Sequence, residues 1–533
     1  MMPAMSRSLL WFVPAFAVGV LVRLWNIENQ IVGGDELHAV RRSLTMPLSE
    51  ILVTYHESDN CLPLTAIYRM WIDSGRPLTE MVLRVPVLLS GFALLLLAPW
   101  AVTRKFGART GVVLAWLLAI SPLLINYSRT VRSYMPSVTL ACLAVVAFMT
   151  WWRGGGRAWV LVYVLIAALA VYFHPLVASF VLAPGVFAAL DLWFRREADE
   201  RPSFAALIGA GLGLAIALAS FIVPALPSLR ALLDDKVGSG TIETLDPGHV
   251  LQLMAGTHGF GFVPVWLVVV YGWQRLLRKD TGLAYLGLLL IAAQLVGLAV
   301  LRPTMVERGL VLTRYILVLL PLVLFWAALG LEGILEAVGA RLGQRAAGVA
   351  GGLAVCALVL AGPLTNRQLW TTSFTNHNDY VDFTVPVTEL EKKQLPAFYR
   401  GELEPGAVVE SPWPSSWWMG RTAHLYQLQH GRRVLVTPVE AVLHDRRLAF
   451  RNYATNLDQA VSSGARYLIV HSNLPAEELR LPELPTPRGE MREGLIERML
   501  SLSRDLGRDA AARFGPPAFK DQRIRVWDLH ASE

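Results

Sequence analysis

An acidic pair, Asp35-Glu36, follows the first long apolar stretch of the chain, within a Gly-Gly-Asp-Glu-Leu-His run at residues 33–38. This is where a lipid bilayer would give way to water. A carboxylate at that boundary has the chemistry of a general base, which takes up the proton of a hydroxyl group attacking a membrane-held substrate. The alternative role is helix capping, because Asp before a helix-forming run is a common N-cap pattern. The two roles are compatible if Glu36 caps or orients while Asp35 faces the substrate.

The composition places this pair in an integral membrane protein. The chain has 533 residues, 54% of them hydrophobic, and its mean hydropathy is +0.45. Apolar runs long enough to cross about 30 Å of hydrocarbon recur along it. We therefore predict about eleven spans, which start near residues 8, 82, 109, 134, 157, 175, 204, 259, 281, 311 and 346.

The formal net charge of +7 is explained by membrane topology, so no nucleic acid partner is predicted. The basic residues fall in alternate short loops, which is typical of loops that face the cytoplasm. Examples are Arg104, Lys105, Arg109, Arg153, Arg157, Arg195, Arg196, Arg201, Arg275, Arg278, Lys279, Arg341 and Arg345. The pattern predicts a multi-pass protein of the inner (cytoplasmic) membrane with a retained first span, a cytoplasmic N-terminus and a periplasmic C-terminal region.

Two parts of the chain are predicted from these patterns. Residues 1–364 form a mainly α, polytopic helix bundle, in which the first outer loop, 27–81, contains interfacial helices at residues 48–55 and 64–71. Residues 365–533 lose the long apolar runs and form a soluble α/β domain. Its predicted strands are Ala407–Val409, Val434–Val436, Tyr467–Val470 and Ile524–Trp527.

Ionisable residues crowd the outer ends of the predicted spans, and no Asp, Glu or Lys is expected at mid-membrane depth. An ion-coupled transporter typically needs such groups along its pathway, so this pattern argues against one. The outer-end residues are Asp35, Glu36, His38, Arg41, Arg42, His56, Glu57, Asp59, Arg84, Arg129, Arg132, His174, His258, Arg302, Glu307, Arg308 and Arg314.

Arginines are prominent at this outer side, where positive charge is topologically disfavoured. The short loop Tyr127-Ser128-Arg129-Thr130-Val131-Arg132-Ser133-Tyr134 is the clearest case. A lipid phosphate suits these side chains, because the guanidinium presents a rigid fork of donors. The alternatives are ordinary phospholipid headgroups, as membrane lipid partners, or carboxylates of the Asp35 loop.

Neither disulfide nor metal chemistry is strongly indicated. Three cysteines, Cys61, Cys142 and Cys356, make no disulfide framework. A divalent metal remains an alternative cofactor, with no close ligand spacing to support it. Its candidate ligands are His38, His56, Glu57, Asp59 and His258.

Several of these motifs carry a family resemblance over roughly residues 8 to 200. They are Asp35-Glu36, Asn60-Cys61-Leu62-Pro63-Leu64, Arg84-Val85-Pro86, Ser121-Pro122, Tyr127-Ser128-Arg129 and Arg132-Ser133-Tyr134. The chain resembles the membrane C-type glycosyltransferase superfamily, in particular bacterial relatives of protein O-mannosyltransferases and the lipid A aminoarabinose transferases. One departure is the absence of lysine from residues 27–81, where the aminoarabinose transferases carry one.

The resemblance implies transfer of a sugar from a polyprenyl-phosphate carrier, such as undecaprenyl phosphate, to a hydroxyl of a cell-envelope glycan, lipid or protein, with inversion at the anomeric carbon. It implies a catalytic role for Asp35, paired with Glu36. The predicted phosphate and sugar ligands are Arg84, Arg129, Arg132, Tyr134, His56, Arg308 and Arg314. Two alternatives are a flippase or transporter of lipid-linked sugars and a non-catalytic envelope assembly subunit. The identity of the sugar and of the acceptor depends on the shape of the binding pocket, which one sequence does not reveal.

Overall fold

Most of the described chain is helical. The computed structural model describes residues 3–25, 27, 36, 39, 42–43, 46–55, 61–75, 80–194, 202–238, 246–257, 259–303, 306, 309–359, 408–411, 457–462, 465–471, 489–522 and 524–530. The chain divides into two compact units. The first comprises Met1–Ile27, Ser49–Leu64 and Arg84–Trp370, and the second comprises Glu28–Leu48, Thr65–Leu83 and Thr371–Glu533.

The helices up to residue 359 follow one another with short connections. In order they are α1 (Pro3–Leu24), α2 (Leu48–Ile51), α3 (Leu62–Asp73), α4 (Glu80–Phe106), α5 (Ala108–Ile120), α6 (Pro122–Arg129), α7 (Tyr134–Trp152), α8 (Ala158–Phe173), α9 (Ala178–Phe194), α10 (Phe204–Lys236), α11 (Pro247–Ala255), α12 (Phe262–Lys279), α13 (Thr281–Leu301), α14 (Gly309–Tyr315), α15 (Leu320–Leu342) and α16 (Gln344–Val359). Short 3₁₀ turns occupy Pro175–Val177, Gly259–Gly261 and Leu317–Leu319.

The described residues contain six helical segments that are long and apolar enough to cross a membrane, so the chain is a multi-pass membrane protein. They are Met81–Phe106, Tyr134–Trp152, Pro175–Phe194, Phe204–Asp234, Thr281–Leu301 and Leu317–Leu342. The bent pair α5–α6 makes a seventh if it is one span, and Phe12–Leu24 and Ala158–Phe173 are shorter apolar helices. All eleven predicted starts lie at or beside a helix, whereas the count of eleven spans stays a prediction.

Of the two helical segments predicted in the first outer loop, α3 covers the one at residues 64–71, and α2 covers only the first four residues of the one at 48–55. The first half of α3 is a nearly continuous apolar run, and Leu62, Leu64 and Tyr68 are buried. Their location at a membrane interface stays a prediction.

Basic residues of three connections meet at one end of the first unit. Asp280 pairs with Lys105 at the end of α4 and with Arg153 after α7, in the latter case at 2.8 Å. Lys279 and Arg275, at the end of α12, pair with carboxylates of α15 at 3.3 and 2.6 Å. Three of the loops that the charge pattern groups together therefore share one end of the helices.

An acidic residue that the sequence does not single out also lies at this end. Glu332 lies inside the apolar segment Leu317–Leu342 and is buried, at the end of the unit that holds Lys279. The absence of Asp, Glu and Lys at mid-membrane depth stays a prediction. Glu332 accepts a hydrogen bond from Thr110 at 2.8 Å and pairs with Lys279. A buried charge is tolerated there because it is paired and hydrogen-bonded.

A small sheet lies in the second unit, with strands β1 (Val408–Ser411), β2 (Tyr467–His471), β3 (Phe519–Lys520) and β4 (Ile524–Asp528). The strand order is β1-β2-β4-β3, with β1 parallel to β2 and the other pairs antiparallel. Leu506 of helix α18 (Gly489–Phe514) shares the core with the strands, and α17 (Leu457–Ser462) packs beside it.

Three of the four predicted strands are thereby confirmed, because β1, β2 and β4 coincide with them. The predicted strand Val434–Val436 lies outside the described residues. An independent soluble domain beginning at residue 365 stays a prediction.

Close packing of α12 against α15 depends on two glycines. A Cβ atom on Gly272 would overlap the carbonyl oxygen of Trp326, and one on Gly330 would overlap the carbonyl oxygen of Val268. Small residues of this kind let the backbones of neighbouring membrane helices approach each other.

We predict that Gly272→Ala destabilises the protein by about 1–3 kcal/mol, because an added methyl group forces two packed backbones apart. The measurement is thermal unfolding in detergent, and the control is Gly209→Ala on α10, where a Cβ meets nothing within 4 Å. Equal unfolding temperatures for the two variants would contradict this account of the packing.

Candidate functional site

The break between α5 and α6 positions the basic loop that the sequence analysis singled out. The two helices meet at 59° because Pro122 follows Ser121 directly. Proline has no backbone N–H, so Pro122 cannot donate to the carbonyl of Leu118 four residues earlier, and its ring clashes with a continued helix. The break therefore leaves carbonyl groups at the end of α5 in need of donors.

Arg23 supplies those donors from α1. Its guanidinium donates to the carbonyl oxygens of Leu118 at 3.0 Å, Ala119 at 3.2 Å and Gly19 at 3.0 Å. The side chain is 1% exposed, so these bonds are shielded from water. The acceptor that Pro122 leaves unused is thus satisfied by an arginine almost a hundred residues earlier in the chain.

The same guanidinium also fixes α6 beyond the break. Arg23 Nε donates to Ser128 Oγ at 3.1 Å, and Ser128 in turn donates to the carbonyl of Leu124 at 2.5 Å. A Cβ atom on Gly91 of α4 would overlap Ser128 Oγ, so the glycine makes room for this contact. Helix α6 is therefore held from two neighbouring helices.

Arg129 ends α6 and is buried beside Arg84. Arg84 Nε donates to the backbone carbonyl of Arg129 at 3.2 Å, and both side chains are buried. In the connection to α7, Ser133 Oγ accepts a hydrogen bond from Cys61 Sγ at 3.1 Å. Two predicted site arginines thus lie together where α4 begins and α6 ends.

A second group of side chains surrounds the ring of Tyr134 at the start of α7. Tyr127 lies edge-on to it with ring centroids 5.4 Å apart, and His174 lies at 5.1 Å. The guanidinium carbons of Arg132 and Arg314 lie 5.9 and 5.8 Å from the ring centre. Both arginines are within reach of a cation–π interaction. We call this group, together with Tyr315, the basic–aromatic cluster.

His174 is the member of the basic–aromatic cluster that the sequence analysis placed at an outer end without naming it as a site residue. It follows Phe173 at the end of α8 and precedes Pro175, so it lies in a break between two helices. The signal for it was the Phe-His-Pro sequence that interrupts an apolar run. Burial, with the nearby charges of Arg132 and Arg314, lowers the pKa of His174 to about 3, and the imidazole is therefore neutral at physiological pH.

Gln294 fixes the backbone next to the basic–aromatic cluster. This buried residue of α13 donates to the carbonyl oxygens of Leu176 at 3.1 Å and Tyr315 at 3.0 Å, and it accepts from Ser179 at 3.0 Å. The sequence does not single out Gln294, because an uncharged amide inside an apolar run barely changes the pattern.

The structure brings five predicted site residues together in two adjoining groups at one end of the first unit, opposite to the end that holds Asp280. They are Arg84, Arg129, Arg132, Tyr134 and Arg314. Glu36 is fully buried. Asp35, His56 and Arg308 lie outside the described residues.

The metal alternative is not addressed by the described part of the chain. Its candidate ligands His38, His56, Glu57, Asp59 and His258 all lie outside that part. Within it, no group of three or more His, Cys, Asp or Glu side chains has the arrangement of a metal site.

We predict that Arg23→Met destabilises the protein by at least about 2 kcal/mol, because buried carbonyl groups at the end of α5 lose their donors. Arg23→Lys should recover part of this loss. The measurement is thermal unfolding in detergent, and the control is Arg508→Met, which removes an exposed pair with Asp505 worth about 0–1 kcal/mol. An Arg23→Met variant as stable as the control would refute the role of Arg23 at the break.

Several solved structures are similar to this chain at low sequence identity. ArnT from Cupriavidus metallidurans has a TM-score of 0.47 and 14% identity, covering 98% of this chain and 98% of that chain. An oligosaccharyltransferase of Archaeoglobus fulgidus has a TM-score of 0.43 and 14% identity, covering 93% and 70%. The arabinofuranosyltransferase AftD from Mycobacteria has a TM-score of 0.43 and 16% identity, covering 87% and 35%.

No family model matches the sequence, and no curated protein matches it.

Proposed function

We propose that the chain is an inverting glycosyltransferase, which moves a sugar from a polyprenyl-phosphate carrier to an acceptor hydroxyl at the outer face of the cytoplasmic membrane. The observation that supports this most directly is the concentration of buried arginines and tyrosines at one end of an apolar helix bundle. A second support is the Asp35-Glu36 motif of the sequence, whose catalytic role rests on the family resemblance.

The arginines favour a phosphate ligand. Arg84 and Arg129 are buried together, and Arg132 and Arg314 face one tyrosine ring. Guanidinium groups bind phosphate oxygens through paired hydrogen bonds, and these bonds are strengthened where water is excluded. A phosphate on a membrane-held chain would deliver negative charge to this position.

A polyprenyl chain explains why such a site lies within a membrane protein. Each buried CH₂ group contributes about 0.8 kcal/mol to membrane attachment, so a carrier with tens of carbons stays in the bilayer. The enzyme must therefore bind the phosphate at the membrane surface while the chain remains in lipid.

The orientation of the chain in the membrane is part of this proposal. The shared basic end around Asp280 is assigned to the cytoplasm by the distribution of positive charge. With about eleven spans, the N-terminus is cytoplasmic, and residues 27–81 and 365–533 lie on the outer side. The membrane domain is then 1–364, as the composition predicts.

The proposed reaction is one displacement at the anomeric carbon. The acceptor oxygen forms a bond to that carbon while its proton passes to the Asp35 carboxylate. The bond between the anomeric carbon and the phosphate oxygen breaks, and its electron pair leaves on the phosphate. Attack from the face opposite to the leaving group inverts the configuration, and Glu36 orients Asp35.

Departure of the phosphate is the step that the arginines assist. General-base catalysis contributes about 10²- to 10⁴-fold in rate, so positioning and charge stabilisation must supply the remainder. Arg129, Arg132, and Arg308 or Arg314 neutralise the developing negative charge, and Arg84, Tyr134 and His56 complete the binding of phosphate and sugar.

We predict that Asp35→Asn lowers turnover by about 10²- to 10⁴-fold, because the amide cannot accept the proton of the acceptor, while carrier binding is retained. The measurement is release of tritiated undecaprenyl phosphate from its mannosyl and aminoarabinosyl forms by protein in lipid nanodiscs supplied with envelope extract. Asp458→Asn, which changes an exposed carboxylate paired with Arg513, is the control. Near-normal release by Asp35→Asn would remove Asp35 from the mechanism. Transport of intact donor across proteoliposomes, without release, would identify a flippase.

A second prediction concerns the phosphate ligands. Arg132→Gln should weaken binding of undecaprenyl phosphate by about tenfold or more, because a charge-assisted hydrogen bond is worth about 1.5–3 kcal/mol. Binding is measured by fluorescence competition in nanodiscs. The control is Arg104→Gln, because Arg104 lies beside Trp100 at the end of α4 opposite to Arg84. This variant should bind undecaprenyl phosphate normally. Equal affinities for the two variants would contradict a phosphate site at Arg132.

A further inference from the structure

His174 has hydrogen-bonding groups that the described residues leave unused. Its side chain is 3% exposed, and neither Nδ1 nor Nε2 has a hydrogen-bond partner among the described residues. Its backbone N–H is occupied, because it donates to the carbonyl of Ala170 at 3.0 Å. A buried polar atom without a partner costs about 1–3 kcal/mol, so such groups in native proteins call for an explanation.

The surroundings of the imidazole define what fits there. Tyr134 of α7 and Tyr315 of α14 lie 5.1 and 6.4 Å from it, measured between ring centroids. The guanidinium groups of Arg132 and Arg314 face the same Tyr134 ring. The ring of Tyr127, in α6, lies edge-on to Tyr134. Among the described side chains of the cluster, the charged groups are therefore the two guanidinium groups, and the others are aromatic rings.

The positive charges of Arg132 and Arg314 disfavour a third positive charge on the His174 imidazole. The pKa of His174 is lowered to about 3, first by burial and then by Arg132 and Arg314. The ring is consequently neutral between pH 5 and 8 and carries one N–H donor and one acceptor nitrogen. A metal ion would be repelled by the same two guanidinium groups, whereas an anion would be attracted.

We infer that His174 donates a hydrogen bond to the phosphate of the bound polyprenyl carrier, as a neutral third ligand between Arg132 and Arg314. This inference rests on the proposed function, since it names a residue that binds the carrier of that reaction. A neutral donor has a specific advantage for a phosphate that must be held before and after transfer. It adds a directed bond without adding another positive charge to a buried site, where each unpaired charge is costly.

The test compares His174→Phe with His174→Gln. The phenylalanine variant keeps a ring against Tyr134 and loses both nitrogens, whereas glutamine restores an N–H donor. Tyr163→Phe is the matched control, because it removes one buried hydrogen bond, to the Val181 carbonyl, from the other end of the same helix. Thermal unfolding verifies that each variant folds.

The probes are farnesyl phosphate, farnesol and inorganic phosphate, titrated into the full-length protein in nanodiscs. His174→Phe should weaken farnesyl phosphate binding by about 10- to 100-fold, while farnesol binding stays unchanged. His174→Gln should recover most of the loss, and Tyr163→Phe should bind normally. Unaltered farnesyl phosphate binding by His174→Phe, or a loss confined to inorganic phosphate, would overturn the inference.

The pH dependence distinguishes a neutral His174 donor from a charged imidazolium ligand. A neutral donor predicts that wild-type affinity rises between pH 5 and 8 only as the phosphate loses its second proton, whose pKa is about 6. An imidazolium ligand would instead lose affinity as the pH rises through the pKa of His174, and that result would contradict the inference.

The inference and the proposed function fail in different ways. If farnesyl phosphate binding depends on His174 but no undecaprenyl phosphate is released from any donor, the proposed transfer is wrong and the His174 assignment stands. If undecaprenyl phosphate is released with a KM for the donor that is unchanged in His174→Phe, the assignment is wrong and the transfer stands.

Discussion

The candidate site depends on a proline that removes one hydrogen bond and an arginine that replaces it. Pro122 breaks the path of α5 and leaves the Leu118 carbonyl without its helical donor, and Arg23 provides one from α1. The interaction is buried, so its loss would expose polar backbone to an apolar environment. Because α6 turns at this break, Arg129 and the loop to Tyr134 begin where Arg84, His174 and Arg314 lie.

The two ends of the helix bundle differ in the groups that surround their basic residues. At one end, basic residues pair with acidic ones, as Lys279 does with Glu332. At the other end, the described neighbours of Arg132 and Arg314 include aromatic rings and a neutral imidazole. The first arrangement stabilises connections between helices, and the second suits an anionic ligand. The clustering of arginines beside aromatic rings and a neutral imidazole is the physical basis for proposing a lipid phosphate as the ligand.

Local sequence patterns predict the helices well and the contacts between them poorly. Apolar runs indicate where α4, α7, α10 and α13 begin, since hydropathy is a property of neighbouring residues. The role of Arg23 could not be predicted in the same way, because its acceptors lie about a hundred positions away and the sequence suggests only a flanking charge. Gln294 and Glu332 were missed because single polar residues barely alter an apolar run, and Asp35 and His56 lie outside the described residues.

The most direct test of the account is a cryo-EM map of the protein in nanodiscs containing undecaprenyl phosphate. The account predicts phosphate density within hydrogen-bonding distance of Arg132, Arg314 and His174, with the isoprenoid chain running into the bilayer. Phosphate density at the end that holds Asp280, or on a lipid-facing surface remote from Tyr134, would contradict it.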